Sequence, residues 1–440
     1  MKTRMNFKDE FYQKLKLLVL PIAIQNFMLA LVSATDAIML GWIDQTSLSA
    51  VSLAGQVQFV LSLFISGIAA GAGIMAAQYW GKQDAASIEK VIPIALRTNL
   101  LFSGLFTILA GFCPEMLMRI FTNDAALVAS GSQYLRAVAL SYVLCGISQV
   151  YLILLKNTGH AAVSSRISST AVVLNIILNA ILIYGLCGAP ALGIRGAAYA
   201  TVAARVVELI WAYLETKKPE RVRILWNRLF SSAGKILSED FWRYTLPVLA
   251  ASLVWGIAYV LYSVIMGHMG SDAVAANSIT SIAKSLLSCL IRGVSGGAGV
   301  LIGNLLGANE LEKAREYGRR LSHLSIAIGI VTGGLLMLIS PAIVHFAPLS
   351  DTAAEYLQYM LLFCGLNLMA QSVNTTVLDG IFCAGGDAKF DMQGNIGAMW
   401  CFSVPLGFLA AFWLKLPVMV VYCIVNLDEI VKASCRLSSL

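Results

Sequence analysis

The chain has 440 residues, of which 58% are hydrophobic and only 12% are charged, and its mean hydropathy is +0.77. Soluble globular proteins carry about 25% charged residues. This composition excludes an ordinary soluble enzyme, a disulfide-stabilised secreted module and a disordered chain. The net charge of +7 does not indicate nucleic-acid binding, because the basic residues cluster in alternate connections between apolar segments.

Apolar runs of about 20 residues, the length that crosses a bilayer as a helix, are separated by short polar breaks along the whole chain. They predict an all-α integral membrane protein with twelve transmembrane helices. In the first half, the predicted spans are residues 17–41, 50–72, 91–113, 131–155, 167–186 and 191–213. In the second half, they are residues 245–267, 276–302, 321–340, 355–382, 392–413 and 416–434.

The orientation follows from the distribution of Lys and Arg. With the N-terminus inside, the cytoplasmic segments hold 23 of the 31 basic residues, the opposite side holds three and the spans hold five. Because basic residues are retained on the cytoplasmic side, we expect a multi-pass protein of the bacterial inner membrane with both termini in the cytoplasm.

The longest polar break, residues 215–243, carries seven basic residues and predicts a cytoplasmic linker. It separates an N-lobe, residues 1–214 with helices 1–6, from a C-lobe, residues 244–440 with helices 7–12. Apolar residues within the linker are consistent with a short amphipathic helix on the inner membrane surface: Leu229, Phe230, Ile236, Leu237, Phe241 and Trp242. A basic linker that only fixes the topology is an equally good interpretation.

The two halves are related by an offset of 226 residues, which aligns residues 21–84 with 247–310 without a gap. The matched pairs include Pro21 with Pro247, Gly41 with Gly267, Gly67 with Gly293 and Gly81 with Gly307. Six spans is an even number, so both copies enter the membrane from the same side. This predicts two six-helix lobes related by a parallel pseudo-two-fold repeat, an arrangement typical of secondary transporters.

One acidic residue lies deep in a predicted span. Asp36 is five residues from Gly41 and therefore about 7–8 Å inside the outer boundary, where a charge costs roughly 2.5–3.5 kcal/mol. We expect Arg205 to reach the inner interface. The other acids of the spans lie near span ends, where we expect them to reach water or headgroups: Glu208, Glu355, Asp379, Asp428 and Glu429.

Polar residues of spans 5 and 6 fall at a similar depth to Asp36. Asn175 and Asn179 are one helical turn apart and share a face, and Thr201 lies in the same outer half of the N-lobe. A carboxylate with amide and hydroxyl oxygens suits Na⁺, and a desolvated carboxyl group can carry a proton instead. A structural role, in which these side chains bond helix to helix, is the alternative.

Six stretches of the sequence resemble, in order, the multidrug and toxic compound extrusion (MATE) family: Pro21 to Asn26, Thr35 to Gly41, Ala77 to Lys82, Asn175 to Asn179, Leu192 to Thr201 and Ala384 to Phe390. The resemblance implies an efflux antiporter in which inward flow of Na⁺ or H⁺ drives organic compounds, cationic or amphipathic, out of the cell. It also implies a cation site formed by the Asp of helix 1 with polar residues of helices 5 and 6.

The sequence departs from one branch of this family, which has further acids on helices 7 and 10. Residues 245–267 contain no acid, and span 10 offers only Asp379, near its cytoplasmic end. A C-lobe carboxylate site is therefore not expected, and coupling should depend on the N-lobe alone.

Pro21 lies about one turn inside span 1, where it is a candidate helix-bending residue or a passive kink.

Several residues are candidates for a substrate cavity. Trp255, Tyr259 and Tyr262 form an i, i+4, i+7 stripe that can stack on a flat cation or pack between helices. Lys284 and Arg292 share a face of span 8, where they can pair with C-lobe acids, reach the interface or contact an acidic substrate group. Tyr134 is a further candidate.

Other functions remain as alternatives. A lipid-linked oligosaccharide flippase of the same broad superfamily is the main one, although the Asn179 and Thr201 set favours extrusion. A membrane enzyme is not expected, because the sequence has no metal-ligand or nucleophile motif at membrane depth, and an ATP-driven pump would need a phosphate-binding loop that is absent. We expect a monomer that contacts small molecules and membrane lipids, with no cofactor and no metal beyond Na⁺.

Overall fold

In the computed structural model the described residues are 7–41, 45–122, 124–224, 229, 234–347 and 349–437. The helices that correspond to the predicted spans are numbered α1 to α12. The first half contains α1 (Phe7–Gly41), α2 (Gln45–Gly81), α3 (Ala85–Phe112), α4 (Ala125–Leu155), α5 (Ala161–Tyr184) and α6 (Ile194–Thr216). The second half contains α7 (Lys235–Gly267), α8 (Ser271–Gly307), α9 (Leu311–Phe346), α10 (Asp351–Asn374, continued by the π-helical Thr375–Phe382), α11 (Ala388–Trp413) and α12 (Val418–Val425 and Asp428–Leu437).

Ten helical segments of the described residues are long and apolar enough to cross a membrane. One of them, Ala125–Tyr184, contains both α4 and α5, which are separated at Gly159, where a φ of +81° interrupts the helix. α12 is not among the ten, because its two pieces, Val418–Val425 and Asp428–Leu437, are each too short to cross a membrane alone. With α4 and α5 counted separately and α12 added, the predicted all-α fold with twelve spans is confirmed.

The connection between α6 and α7 is shorter than the predicted linker, residues 215–243. α6 ends at Thr216 and α7 begins at Lys235. The apolar residues expected in a separate surface helix, from Ile236 to Trp242, instead form the first turns of α7. Leu229 is buried and Phe230 lies outside the described residues. The prediction of a separate amphipathic helix is therefore wrong, because these residues continue into an apolar span rather than ending in a polar break.

The chain divides into two compact units by its contacts. One unit is Phe27–Leu249, and the other combines Met1–Asn26 with Ala250–Leu440. The division falls inside α1 and inside α7, in each case shortly after the proline of that helix, Pro21 or Pro247. The lobes 1–214 and 244–440 were predicted from the sequence repeat, and their limits stay a prediction.

In the Phe27–Leu249 unit, two glycines of α2 allow close packing of the first half of α7. A Cβ atom built on Gly67 would lie 2.9 Å from the Cα of Leu249, and one built on Gly71 would lie 2.7 Å from the Cα of Thr245. Both distances are too short for carbon atoms in contact. The small residues at these two positions therefore permit the helix backbones to approach.

The other unit contains the equivalent contact. A Cβ atom on Gly293 would lie 2.9 Å from the Cα of Ala23, and one on Gly297 would lie 2.9 Å from the Cγ2 of Val19. All four residues are related to the previous set by the offset of 226 residues. The sequence repeat is thus a repeat of helix packing, which gives a physical reason for its glycines.

The turns after α2 and α8 also repeat. Gln83 and Asn309 both have a φ of +60°. The backbone N–H groups of Asp84 and Glu310 each donate a 2.9 Å hydrogen bond to the carbonyl five residues earlier. Both turns lead directly into the next helix, so the repeat extends from the helices to their connection.

Candidate functional site

The structure brings together the four residues predicted to bind the coupling ion. The Nδ2 of Asn179 donates to the Oδ1 of Asp36 at 2.6 Å and to the Oδ1 of Asn175 at 3.2 Å. The Nδ2 of Asn175 donates to the Oγ1 of Thr201 at 3.3 Å. These contacts form one continuous hydrogen-bonded chain across α1, α5 and α6, within the Phe27–Leu249 unit.

The quartet Asp36, Asn175, Asn179 and Thr201 is shielded from solvent. Asn179 is 0% exposed and Asn175 is 5% exposed, whereas Asp36 and Thr201 are half-buried. The Oδ1 of Asn179 is buried and has no hydrogen-bond partner in the part of the chain that the structure describes. A buried carbonyl oxygen without a donor is suited to a cation, because its lone pairs are otherwise desolvated without compensation.

The oxygen chemistry of the quartet fits a monovalent hard cation or a proton. It offers a carboxylate, two amide oxygens and a hydroxyl, the ligand types that such cations prefer. The Oγ1 of Thr201 donates to the carbonyl of Ala197 at 3.0 Å and accepts from Asn175, which leaves one lone pair as an acceptor. Among the described residues, no group of three or more His, Cys, Asp or Glu side chains could hold a metal ion.

A further contact, which the sequence did not indicate, involves residues three to five positions after Asp36 and Asn179. The hydroxyl of Tyr184, at the end of α5, donates to the backbone carbonyl of Met39 in α1 at 2.7 Å. It joins the two helices that carry Asn179 and Asp36. A tyrosine near the end of a span is common in membrane proteins, so no sequence signal distinguished it.

Tyr134, a predicted cavity residue, lies in the packed interior of the same unit. It is 8% exposed and belongs to a hydrophobic cluster with Leu40, Ile183 and Ala197. Its ring therefore packs beside the ends of the helices that carry the quartet.

Arg205 and Glu208 are paired inside the Phe27–Leu249 unit, contrary to expectation. The Nη1 of Arg205 lies 2.9 Å from the Oε1 of Glu208, and the hydroxyl of Ser148 donates to the same oxygen at 2.6 Å. The Glu208 side chain is only 2% exposed. The expectation that Glu208 reaches water is wrong, because Arg205 and Ser148 of α4 both bond its carboxylate. The expectation that Arg205 reaches the inner interface stays a prediction.

Two of the acids of the second half are also buried. Asp428 is 6% exposed and the Glu429 side chain is 12% exposed. We expected both to reach water or headgroups, and that expectation is wrong because the break in α12 turns them into the unit. Glu355 and Asp379 are exposed, as predicted.

The aromatic stripe of α7 does not act as one surface. Trp255 and Tyr259 are 38% and 43% exposed, and their rings stack with centroids 5.6 Å apart. Tyr262 is 9% exposed and packs in a cluster with Val404 and Val425. Two of the three residues are exposed, and the third is a core residue.

The two basic candidates of α8 have different surroundings. The Nζ of Lys284 donates to the Oδ1 of Asn367 at 3.0 Å, and the Nδ2 of Asn367 donates to the carbonyl of Asn426 at 2.6 Å. Arg292 is exposed. Sequence reasoning overlooked Asn367, although Asn367, Gln371 and Asn374 form an i, i+4, i+7 polar stripe in span 10 that could have indicated it.

Pro21 lies inside the continuous helix α1. A proline within a helix removes one backbone hydrogen bond and weakens the helix locally. Its role in bending α1 stays a prediction.

Comparisons with known proteins agree with this fold. The sequence model of the MatE family matches twice, at residues 21–181 and 247–409. The two matches begin 226 residues apart, so the predicted repeat has independent support.

Individual relatives resemble the chain along nearly its whole length. The chain is 21% identical to the probable multidrug resistance protein YoeA of Bacillus subtilis, over 96% of this chain and 91% of that protein. It is 23% identical to the probable multidrug resistance protein NorM of Thermotoga maritima, over 97% and 92%.

A solved structure shows the same fold. A transporter of the MOP superfamily from Pyrococcus furiosus superposes with a TM-score of 0.86 at 20% identity, covering 97% of this chain and 96% of that one. Since the family match covers most of the chain in two ordered copies, this multi-pass membrane protein belongs to the MatE family of transporters.

Proposed function

We propose that this protein is a secondary active multidrug exporter that exchanges Na⁺ or H⁺ for organic compounds, cationic or amphipathic, by alternating access. The observation that carries the proposal is the hydrogen-bonded quartet of Asp36, Asn175, Asn179 and Thr201. The relatives named as probable multidrug resistance proteins support the export of drugs.

The coupling role follows from the charge of Asp36. Its hydrogen-bond partner is the neutral amide of Asn179, and within the described residues no basic side chain forms an ion pair with it. A carboxylate held among neutral groups at membrane depth is costly when ionised. Binding of Na⁺ or a proton removes that cost, so the site favours a monovalent cation.

Alternating access then needs only that the ion binds one conformation more tightly than another. A ligand shifts an equilibrium by no more than its differential affinity for the two states. Because the quartet spans three helices, a movement of α1 relative to α5 and α6 would change the distance between Asp36 and its amide partners. Such a movement would change cation affinity, and it would release the ion on one side of the membrane.

The substrate class is proposed from the accessible aromatic pair of α7. Trp255 and Tyr259 stack parallel, with an interplanar angle of 19°, and both are partly exposed. Aromatic faces attract flat organic cations. We therefore assign these two residues to substrate binding by a monomer that works with small molecules in a lipid membrane.

The proposal is tested by counterflow in proteoliposomes loaded with fluorescent organic cations. A Na⁺ gradient and a pH gradient are imposed separately, on the wild type and on Asp36→Asn. We expect one of the two gradients to drive dye movement in the wild type and neither to do so in Asp36→Asn.

The matched control is Asp351→Asn, which alters an exposed aspartate in the first turn of α10. It should retain wild-type transport. Gradient-driven transport of normal rate in Asp36→Asn would contradict the coupling role. Gradient-independent movement of a lipid-linked oligosaccharide in the same vesicles would favour the alternative function, a flippase.

A further inference from the structure

The unit that combines Met1–Asn26 with Ala250–Leu440 contains a buried charge cluster at the break in α12. Asp428 and Glu429 occupy the first turn of Asp428–Leu437, and Lys432 follows one turn later. The Nζ of Lys432 lies 3.6 Å from the Oδ2 of Asp428 and 3.5 Å from the Oε1 of Glu429. All three side chains are at most 12% exposed. One ammonium group therefore lies close to both buried carboxylates.

Amide side chains complete the surroundings of Glu429 and of the helix break. The Nδ2 of Asn374 donates to the Oε2 of Glu429 at 2.8 Å and to its backbone carbonyl at 2.7 Å. The carbonyl of Asn426, which lies at the break in α12, accepts a 2.6 Å hydrogen bond from Asn367. Asn367 in turn holds Lys284 at 3.0 Å.

Basic groups and further acidic groups surround these two carboxylates. Lys284 acts electrostatically on both Asp428 and Glu429, so the two carboxylates face two ammonium groups. Three further groups face the cluster from neighbouring helices: Asp379 of the π-helical segment after α10, Asp391 of α11 and the Tyr262 hydroxyl of α7. Asp379 and Asp391 also act electrostatically on Lys432.

Two adjacent carboxylates cannot both stay ionised in a buried site without a cation between them. Carboxylate and amide oxygens are the ligands of a hard cation, and a lysine ammonium is a compact point charge with three donors. We propose that the ammonium of Lys432 is a tethered internal cation, which occupies the position that a bound monovalent cation would otherwise take between Asp428 and Glu429. This unit then requires no exchangeable ion at that position.

The inference predicts the behaviour of a variant in which the tethered cation is removed. Lys432→Met keeps an unbranched side chain, one atom shorter, and leaves Asp428 and Glu429 opposite only one remaining ammonium, that of Lys284. The vacated position should then take Na⁺ or a proton from solution. A ligand that binds only the folded state stabilises it, so the thermal stability of this variant should acquire a dependence on these ions.

The experiment measures the apparent melting temperature of the purified full-length protein in detergent. All variants are made in an Asp36→Asn background, so the result does not depend on the coupling role proposed for Asp36. The protein is compared in choline chloride and in about 0.1 M NaCl, each at about pH 5.5 and about pH 8. For Lys432→Met we expect Na⁺ or acid to raise the melting temperature by about 4 °C or more relative to choline at the higher pH.

Two controls accompany this variant. Lys432→Arg retains the cation and should respond as the parent does. Lys313→Met removes the lysine of the partly exposed Lys313–Glu310 ion pair and should also follow the parent. A Lys432→Met profile parallel to that of the parent in all four conditions would overturn the proposal.

A double variant keeps the test decisive if Lys432→Met does not accumulate. Glu429→Gln with Lys432→Met removes one negative and one positive charge, so the net charge of the cluster is unchanged and Asp428 still faces Lys284. We expect this protein to be recovered and to show no new response to Na⁺ or acid. Failure to recover it, or a response as large as that expected for Lys432→Met, would overturn the proposal.

Discussion

The Nδ2 of Asn179 donates a 2.6 Å hydrogen bond to the Oδ1 of Asp36, although the two residues are 143 positions apart in the sequence. This contact joins α1 to α5 at the one acid that the sequence places well inside a span of the first half. It makes the amide of Asn179 the neighbour that any change in the charge of Asp36 must affect first.

Removal of the Asn179 amide or the Thr201 hydroxyl should weaken the coupling of cation binding to transport. Asn179→Ala deletes the direct partner of Asp36, and Thr201→Ala deletes the hydroxyl that accepts from Asn175. We expect the cation concentration for half-maximal transport to rise about tenfold in Asn179→Ala, since a hydrogen bond to a charged group contributes about 1.5–3 kcal/mol. In Thr201→Ala, which loses a bond to a neutral amide, we expect a rise of about fivefold.

The matched control is Thr98→Ala. The hydroxyl of Thr98 also bonds the carbonyl four residues earlier in its helix, at 2.9 Å, but Thr98 lies on α3 outside the quartet. The measurement is transport against Na⁺ or H⁺ concentration in proteoliposomes. Equal losses in Thr98→Ala and Thr201→Ala would show a general effect on helix packing.

Tyr184→Phe should have a smaller effect than Asn179→Ala on the same measurement. The variant removes only the 2.7 Å hydrogen bond to the carbonyl of Met39, which holds α1 against α5. A neutral hydrogen bond contributes about 1 kcal/mol, so we expect about a fivefold loss of apparent cation affinity with little change in maximal rate. A loss of maximal rate at unchanged affinity would contradict this positioning role.

The repeated glycines should be intolerant of a side chain. Gly67→Ala and Gly293→Ala each place a Cβ atom 2.9 Å from a backbone Cα atom of the neighbouring helix. Overpacking of this kind costs about 1–3 kcal/mol, so we expect a lower apparent melting temperature in both variants.

Gly104→Ala and Gly334→Ala serve as controls for the glycine variants. A Cβ atom at either position meets nothing within 4 Å. Both should be neutral or slightly stabilising, because alanine favours the helix over glycine. If all four variants were equally stable, the close approach at Gly67 and Gly293 would not be required for folding.

The buried ion pair of Arg205 and Glu208 should show strong non-additivity. Arg205→Met leaves the carboxylate of Glu208, which is 2% exposed, without its cation. Removal of one partner of a buried pair costs about 3–5 kcal/mol, whereas replacement of both by apolar side chains is often close to neutral. We therefore expect the double variant Arg205→Met with Glu208→Met to melt at a higher temperature than Arg205→Met alone. The opposite order would show that Arg205 stabilises the protein through contacts other than this pair.

The predicted orientation can be measured with reporter fusions. Reporters placed after Arg223 and after Asp387 should be cytoplasmic, and one placed after Asp351 should be external, because the positive-inside rule puts both termini in the cytoplasm. A cytoplasmic reporter after Asp351 would contradict the orientation derived from the basic residues.

The sequence by itself determined the membrane class, the number of spans, the repeat and the polar residues that meet at Asp36. Hydropathy is a sum over neighbouring residues, so it reports which segments favour lipid without any knowledge of their partners. The repeat is visible because glycine and proline fix local backbone geometry, as at Gly67 and Gly293, where no side chain fits. The quartet was predictable because the depth of a residue in a regular helix follows from the rise per residue.

Only the tertiary structure decided which charged residues are buried. Depth along a span places Asp428 and Glu429 near an end, but both are buried at the break between Val425 and Asp428, where Glu429 meets Asn374 of α10. Glu208 likewise is bonded by the hydroxyl of Ser148 on another helix, 60 residues away. Whether a charge near a helix end meets water or a partner depends on the helix packed against it, and one-dimensional hydropathy contains no term for that contact.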